Sequence, residues 1–152
     1  MKMLISPEDV LRLAYSSEEQ LPSTIILDCD IVEAESRYIE PIVGEAMMEA
    51  LRDGEYADLA ANFVAPALAT WTRYIVEQTA YSRCAACHGE DVTTAMLERM
   101  RLTLRALRRK ASTLTRRLTN HLNTHGDDYP EYSAFNNPQN RCFIYGDIIQ
   151  IC

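Results

Sequence analysis

One long run of helical spacing near the C-terminus constrains the fold of this 152-residue chain more than any other feature. Its members recur in alternating steps of three and four over more than three heptads, at Leu97, Met100, Leu104, Leu107, Ala111, Leu114, Leu118 and His121. A helix of this length gains its stability by burying such a seam against other helices. The pattern therefore predicts a mainly α-helical bundle whose long C-terminal amphipathic helix packs on an earlier helix or on a neighbouring subunit.

Capping residues, prolines and glycines divide the preceding sequence into shorter helices. A serine, a proline and two acids at residues 6–9 predict the start of a first helix. Further helices are predicted at about residues 22–40, 44–52 and 55–83. Pro41 should end the first of these three, because proline lacks a backbone N–H. Pro66 should either kink the last of them or mark the first turn of a new helix.

The second predicted helix has an apolar side and an acidic side. Its apolar stripe is expected at Ile25, Cys29, Val32, Ser36 and Ile39, and Ile26, Ile31 and Tyr38 should widen it. Its acids are Asp28, Asp30, Glu33 and Glu35. The sequence has no glycine-rich phosphate loop, nucleophile elbow or histidine–acid pairing beside them, so we expect a water-facing helix side and no enzyme.

The helical spacing stops after Gly126, and loop-forming residues follow. Residues 142–145 and 148–151 are rich in strand-forming side chains and flank a Gly-Asp pair, which predicts a small β-hairpin. A hairpin is barely stable alone, so it should pack on its own helices or on strands of another chain. We therefore divide the chain into a helical domain (1–125) and an extended tail with the hairpin (126–152), and we take Tyr145 and Ile149 as candidate contact residues.

The net charge of −7 is distributed unevenly along the chain. Residues 1–60 carry 14 acids and 4 bases, whereas residues 61–125 carry 4 acids and 10 bases. The two halves could neutralise each other within one fold, or subunits could meet head to tail through opposite charges. The charge pattern leaves both interpretations open.

Thiols and imidazoles suggest a cofactor site as an alternative. Cys84, Cys87 and His88 have the spacing of a c-type haem attachment sequence, and the thiols could instead serve redox or metal chemistry. His121 and His125 have the spacing of zinc ligands, but one unbroken helix would place them roughly 45 Å from Cys84. An odd number of cysteines without an export signal favours free thiols in a reducing cytoplasm. We therefore expect no cofactor and no metal.

The basic residues of the long helix suggest contact with an anionic partner. They are Arg99, Arg101, Arg105, Arg108, Arg109, Lys110, Arg116 and Arg117. A DNA-associated helical protein is one interpretation, because clustered bases neutralise backbone phosphates. A solvated face that pairs with the acidic second helix is the other, and the sequence pI of about 4.9 favours it. Arg101, Arg105, Arg108, Arg109 and Arg116 are our candidate interaction residues on this helix.

The order of several segments resembles one protein family. These segments are residues 5–9, the Arg37–Gly44 break, residues 66–68 with 71–74, Leu122-Asn123 and residues 129–132. Together they resemble the head–tail connector (adaptor, head-completion) proteins of tailed bacteriophages and prophages, over residues 5–132. No motif at Cys84–His88 belongs to that resemblance.

The resemblance implies a structural virion protein without catalytic activity. Its subunits would form a homo-oligomeric ring beneath the portal of a DNA-filled capsid and contact the portal protein and a tail-completion protein. Packaged DNA would pass nearby without specific contact. The protein would reside in the virion, and in the host cytoplasm during assembly. The sequence contains no run of roughly 20 apolar residues, the length that a membrane span requires, so we expect no membrane partner.

Overall fold

The structure is a computed structural model that describes residues 2–16, 19, 21–86, 92–145 and 148–151. Side chains are described up to residue 141. The mainly α-helical class is confirmed. The α-helices are α1 (Pro7–Ala14), α2 (Asp28–Ala34), α3 (Glu40–Val43), α4 (Glu45–Asp53), α5 (Ala57–Leu59), α6 (Ala65–Ala86) and α7 (Thr94–Thr124). Two π-helical turns connect some of them, at Glu35–Ile39 and Ala60–Val64. Short 3₁₀ turns lie at Ser23–Ile25, Gly126–Asp128 and Pro138–Asn140.

The first helix begins as the sequence predicts. Ser6 Oγ accepts a hydrogen bond from the Asp9 N–H at 3.2 Å, and Asp9 Oδ2 accepts one from the Ser6 N–H at 3.1 Å. This reciprocal capping box satisfies two donors that a helix start leaves unpaired. The bond from the Ser6 backbone, followed by the one from Arg12, lowers the pKa of Asp9 below its ordinary value of 3.8.

The prediction that Pro41 ends the second helix is wrong. The helix passes through Pro41 and ends at Gly44, whose φ of +85° is a left-handed conformation that favours glycine. A proline ring normally collides with the carbonyl four residues earlier. Here the preceding turn is π-helical: the Glu40 N–H donates to the Glu35 carbonyl, five residues back, which widens the turn ahead of the ring.

Pro66 lies in the same local arrangement. The Ala65 N–H donates to the Ala60 carbonyl across the second π-turn, directly before the proline. The chain is therefore helical from Ala57 to Ala86 without a break, and Pro66 lies in the first turn after the π-turn, within one continuous helix and not at the start of a new one.

The second helix starts later than predicted and buries only part of the predicted stripe. Residues 23–25 form a 3₁₀ turn, and α2 begins at Asp28, where Asp30 Oδ2 caps the Leu27 N–H at 3.0 Å. The predicted stripe is wrong at Ile25, Cys29 and Ser36, which are exposed. The buried positions of the continuous helix are Ile31, Ala34, Glu35, Ile39, Ile42 and Val43, and the predicted stripe is right at Ile31 and Ile39.

The core is centred on α6, against which α1, α2 and α7 pack. Trp71 of α6 stacks on Tyr38 with ring centroids 3.8 Å apart, and its Nε1–H donates to Thr115 Oγ1 of α7 at 2.8 Å. The α7 side chains Leu107, Ala111, Leu118 and Leu122 are buried in this core. The prediction that the long helix packs on the preceding one is therefore confirmed.

The segment after α7 returns along the bundle and ends in extended backbone. Tyr56 Oη donates to Glu131 Oε2 at 2.7 Å, which attaches this segment to the residue directly before α5. Strands β1 (Cys142–Tyr145) and β2 (Ile148–Ile151) are antiparallel, with Tyr145 opposite Ile148. Residues 146 and 147, the predicted turn, lie outside the described residues, so the packed hairpin stays a prediction. Within the described part, no helix has both the length and the apolar character needed to cross a membrane.

Candidate interaction surface

One end of each of the two longest helices has no buried side chain, and we call these two ends, residues 76–86 and 94–106, the arm. Residues 94–106 of α7 include no buried position, and neither do residues 76–86 of α6, although both helices are buried further along. Only residues 87–93 separate the helices along the chain, and α6 and α7 pack on each other. Met96 and Leu102 on the arm are 44% and 55% exposed. The arm therefore offers apolar side chains and charges to a partner.

The outward side of α7 carries an arginine face, which we define as Arg105, Arg108, Arg109 and Arg116. These exposed side chains, with Ser112 and Thr113, line a groove of about 540 Å³. Their steps of three, four and seven residues keep them on one side of the helix. The opposite side is occupied by the buried seam, so the fold directs the arginines into solvent.

No carboxylate in the described part of the chain forms a salt bridge with the arginine face. The arginine of α7 that does form one is Arg101, with Glu98 at 3.2 Å. Arg117 instead lies over the Phe63 ring, with its guanidinium carbon 4.9 Å from the centroid. The interpretation that the acidic first sixty residues pair directly with α7 is thus unsupported by any described ion pair. The arginine face can bind an external anion.

A second charged surface has the opposite sign. We define the acidic face as Glu45, Glu49 and Asp53 on α4 with Glu55 and Asp58 directly after it; all five are exposed, and none belongs to a described salt bridge. Glu45, Glu49 and Asp53 are four residues apart, which places them on one side of α4. Met47, Met48 and Leu51 are buried on its other side.

The acid that sequence reasoning placed wrongly is Glu35. It is fully buried, not water-facing, and its carboxylate accepts from the Leu4 N–H at 2.7 Å and from Arg52 Nη2 at 3.0 Å. No local signal distinguishes it from Glu33, which forms an exposed pair with Arg37. Glu35 is therefore a structural residue and is not part of the charged surfaces.

The histidines considered as zinc ligands are held in an aromatic stack. The His121 ring lies 4.1 Å from Phe63 and 4.4 Å from His125, and its Nε2 is 3.1 Å from Tyr129 Oη. Burial, and next the positive charge of His125, lower the pKa of His121 below its ordinary value of 6.5. This geometry gives both rings a packing role.

The thiol cluster is described only in part. Cys84 is half-buried in the last turn of α6, whereas Cys87 and His88 lie outside the described residues. No group of three or more histidine, cysteine, aspartate or glutamate side chains suited to a metal occurs in the part of the chain that the structure describes. The haem, redox or metal alternative stays a prediction.

For the candidate contact residues of the tail, Tyr145 and Ile149, the structure describes the backbone only. Tyr145 ends β1, and Ile149 lies in β2 opposite Ile144. Their side chains lie outside the description, so their role in contacts stays a prediction.

Comparisons of the chain with models of protein families, with curated proteins and with solved structures found no match. The two charged faces and the arm are therefore the candidate interaction surfaces of this chain.

Proposed function

We propose that this protein is a structural virion protein of a phage or prophage, and that it forms a head–tail connector ring between the portal and the tail. The observation that carries the proposal is the arginine face, four exposed guanidinium groups without a described carboxylate partner, on a chain that also has an exposed acidic face. The order of segments that resembles connector proteins, from residues 5–9 to residues 129–132, adds to it.

Opposite charges on different elements favour contact between unlike surfaces of successive subunits. A contact of this kind is heterologous, and it produces a closed ring when the rotation between neighbours divides evenly into a full turn. Complementary charge also aligns the subunits as they meet. The arginine face of one subunit would therefore contact the acidic face of the next.

The arm and the tail would supply surfaces for other components. The arm exposes apolar side chains such as Leu102, and the β-strands have backbone that could add to a neighbour's sheet. The portal protein and a tail-completion protein are the proposed partners. The protein would have no catalytic role, would contact packaged DNA only non-specifically, and would reside in the virion after assembly in the host cytoplasm.

Charge reversal tests the ring contact. Arg108→Glu/Arg109→Glu should convert rings to monomers, because like charges would then face each other across the interface. Sedimentation velocity and electron microscopy measure this, on the chain alone and on portal assemblies of the same phage. Arg99→Glu/Lys110→Glu is the matched control: it makes the same charge change on α7, outside the arginine face.

A charge swap makes the test specific. Adding Glu45→Arg/Glu49→Arg to the Arg108→Glu/Arg109→Glu chain should restore rings. Rings that survive the first reversal would overturn the proposed contact. A wild-type chain that forms no ring, alone or on portal assemblies, would overturn the proposed function.

DNA association is a second candidate, because the same arginine face is oriented away from the core. Binding to a labelled duplex should then weaken with salt, roughly in proportion to the number of phosphates contacted. Arg108→Glu/Arg109→Glu should weaken binding, while Glu45→Arg/Glu49→Arg should not. Duplex binding that is absent or insensitive to salt would remove this candidate.

A further inference from the structure

One aromatic side chain projects from the segment after α7 into solvent. Phe135 is 88% exposed, the largest exposed fraction among the large apolar side chains that the structure describes. A single exposed apolar residue is ordinary on a protein surface. Two further observations, the rigidity of its loop and a matching hollow elsewhere on the chain, indicate a specific partner for this one.

The loop that carries Phe135 is held by hydrogen bonds of two asparagine side chains. Asn137 is fully buried, and its Nδ2 donates to Tyr132 Oη at 3.0 Å, while its Oδ1 accepts from the Gln139 N–H at 2.9 Å. Asn140 Nδ2 donates to the carbonyl of Ala134, beside the phenylalanine, at 2.9 Å. A loop ordered before binding loses little conformational entropy in a complex. Phe135 is thus a preorganised anchor.

An apolar hollow of about 380 Å³ lies between α1 and the segment from α4 to α6. Its apolar lining includes Leu4, Leu13, Leu51, Ala57, Ala61 and Ala65. The alanines leave the space open, because larger side chains at their positions would fill it. Pockets of about 300–1,000 Å³ accommodate small ligands, so the hollow has room for a phenyl ring.

The charges around the anchor and the hollow are complementary. A groove joins Arg116 of the arginine face to Gln139 and Asn140, so the loop of Phe135 adjoins the basic surface. The hollow is bordered by Glu55 of the acidic face; its other charged residues, Asp9 and Arg12, pair with each other at 2.7 Å. An apolar centre with a charged rim is the usual arrangement of a specific interface.

We propose that Phe135 of one subunit inserts into the hollow of the next copy of this chain. The inference rests on the proposed ring. In that ring, the inserted Phe135 forms the apolar centre of each subunit interface, and the arginine and acidic faces form its charged rim. A second copy is the occupant because one chain carries both the anchor and the hollow, each beside a charged face complementary to the other.

Removing the anchor and filling the hollow are the direct tests. Phe135→Ala and Ala61→Phe should each weaken subunit association at least about thirtyfold, as expected for a hot-spot residue. Both positions are exposed, so circular dichroism and thermal unfolding should match the wild type. Leu27→Ala is the control, since it removes an apolar side chain that is 55% exposed and lies outside the loop, the hollow and the arm. Sedimentation velocity measures all three.

Mixing the two variants tests the pairing itself. The Phe135→Ala chain keeps an open hollow, and the Ala61→Phe chain keeps the anchor. An equimolar mixture should therefore form one-to-one heterodimers that do not grow into rings, although neither variant associates alone.

The outcomes separate the two proposals. Phe135→Ala chains that form rings as well as the wild type would overturn the inserted anchor and leave the ring intact. If the two variants form heterodimers but the wild-type chain does not bind portal assemblies, the inserted anchor is supported and the connector function is overturned. A mixture that stays monomeric would overturn the pairing of Phe135 with the hollow.

Discussion

At the scale of single residues, Glu35 shows how a charge can be structural in an acidic chain. Its carboxylate joins three parts of the fold: its own π-turn, the backbone at Leu4 before α1, and Arg52 of α4. A buried charge is tolerated when it is paired and hydrogen-bonded, and removing one partner leaves the other uncompensated. Glu35 therefore holds the N-terminal segment and α4 together.

Replacing Glu35 should be far more damaging than replacing Glu33. We expect Glu35→Ala to lower the free energy of unfolding by roughly 3–5 kcal/mol, because Arg52 and the Leu4 N–H lose their acceptor. Glu33→Ala should cost less than about 1 kcal/mol, because its pair with Arg37 is exposed. Urea unfolding measures both. Similar values for the two variants would show that the buried pair contributes no more than the surface pair.

His121 should make stability depend on pH. Its pKa in the folded chain lies below its ordinary 6.5, because of burial and then His125 and Arg117, against the opposing effect of Asp128. The unfolded chain therefore binds the proton at His121 more readily than the folded chain does. The contribution of His121 to stability is fully present above about pH 6.5 and is lost as the pH falls through the folded-state pKa. Thermal unfolding measured from pH 7.5 to 5 tests this.

The matched variants separate the two histidines. His121→Gln should flatten the decrease in stability below pH 6.5, whereas His125→Gln should remove only part of it, since burial is the larger cause. An unchanged pH profile in His121→Gln would assign the effect to other groups.

At the scale of elements, the two π-turns explain how prolines occur within continuous helices. Pro41 and Pro66 each follow a π-turn whose last hydrogen bond spans five residues. The wider turn moves the earlier carbonyl away from the proline ring, so the helix continues. The end of the first of these helices is set instead by Gly44.

Alanine substitution of three glycines should give graded losses of stability. Gly44 (φ +85°, ψ 159°) lies in a region that is essentially limited to glycine, so Gly44→Ala should cost about 2–3 kcal/mol. Gly54 (φ +90°, ψ 13°) is left-handed, and Gly54→Ala should cost about 1 kcal/mol. No atom lies within 4 Å of an added Cβ at either position, so strain is the only cause.

Gly126→Ala is the control for this series. Its backbone is not in the left-handed region, and its added Cβ would also meet nothing within 4 Å. It should therefore be neutral or slightly stabilising, because alanine reduces the freedom of the unfolded chain. Urea unfolding should rank the variants in that order; a reversed order of Gly44→Ala and Gly126→Ala would contradict the assigned conformations.

At the scale of the whole molecule, separated charge is the dominant surface property. The fold leaves the arginine face and the acidic face exposed on different helices. Within the described residues, the two ion pairs that join separate elements link α6 to Glu19 and α4 to the first π-turn. A chain with a net charge of −7 thus retains a strongly basic surface.

Association between subunits should depend on salt. Raising the salt concentration from about 0.1 M to 1 M shortens the screening length from about 10 Å to about 3 Å. We therefore expect wild-type association to weaken about tenfold or more in sedimentation velocity, since the rim charges no longer attract. Arg99→Glu/Lys110→Glu should show the same dependence. Equal association at both salt concentrations would contradict a charged rim.

Much of the helical framework could be predicted from short stretches of sequence. The capping box at Ser6, the long seam of α7 and the solvent-facing arginines follow from local hydrogen bonding and the helical repeat. The acidic stripe of α4 has the same kind of signal in its four-residue spacing. No local sequence signal indicates the burial of Glu35, because Glu33 and Glu35 lie in similar stretches of sequence.

The sequence by itself determined the helical class, the start of the first helix and the side of α7 on which the arginine face lies. Each of these depends on neighbours within one or two helical turns. Only the tertiary structure decided which acid is buried, how the prolines are accommodated, and where the hollow and the Phe135 loop lie. Those features join residues far apart in sequence, such as Leu4 with Glu35 and Tyr56 with Glu131, which are 31 and 75 positions apart. Such contacts depend on how the helices pack, and a local pattern does not encode that packing.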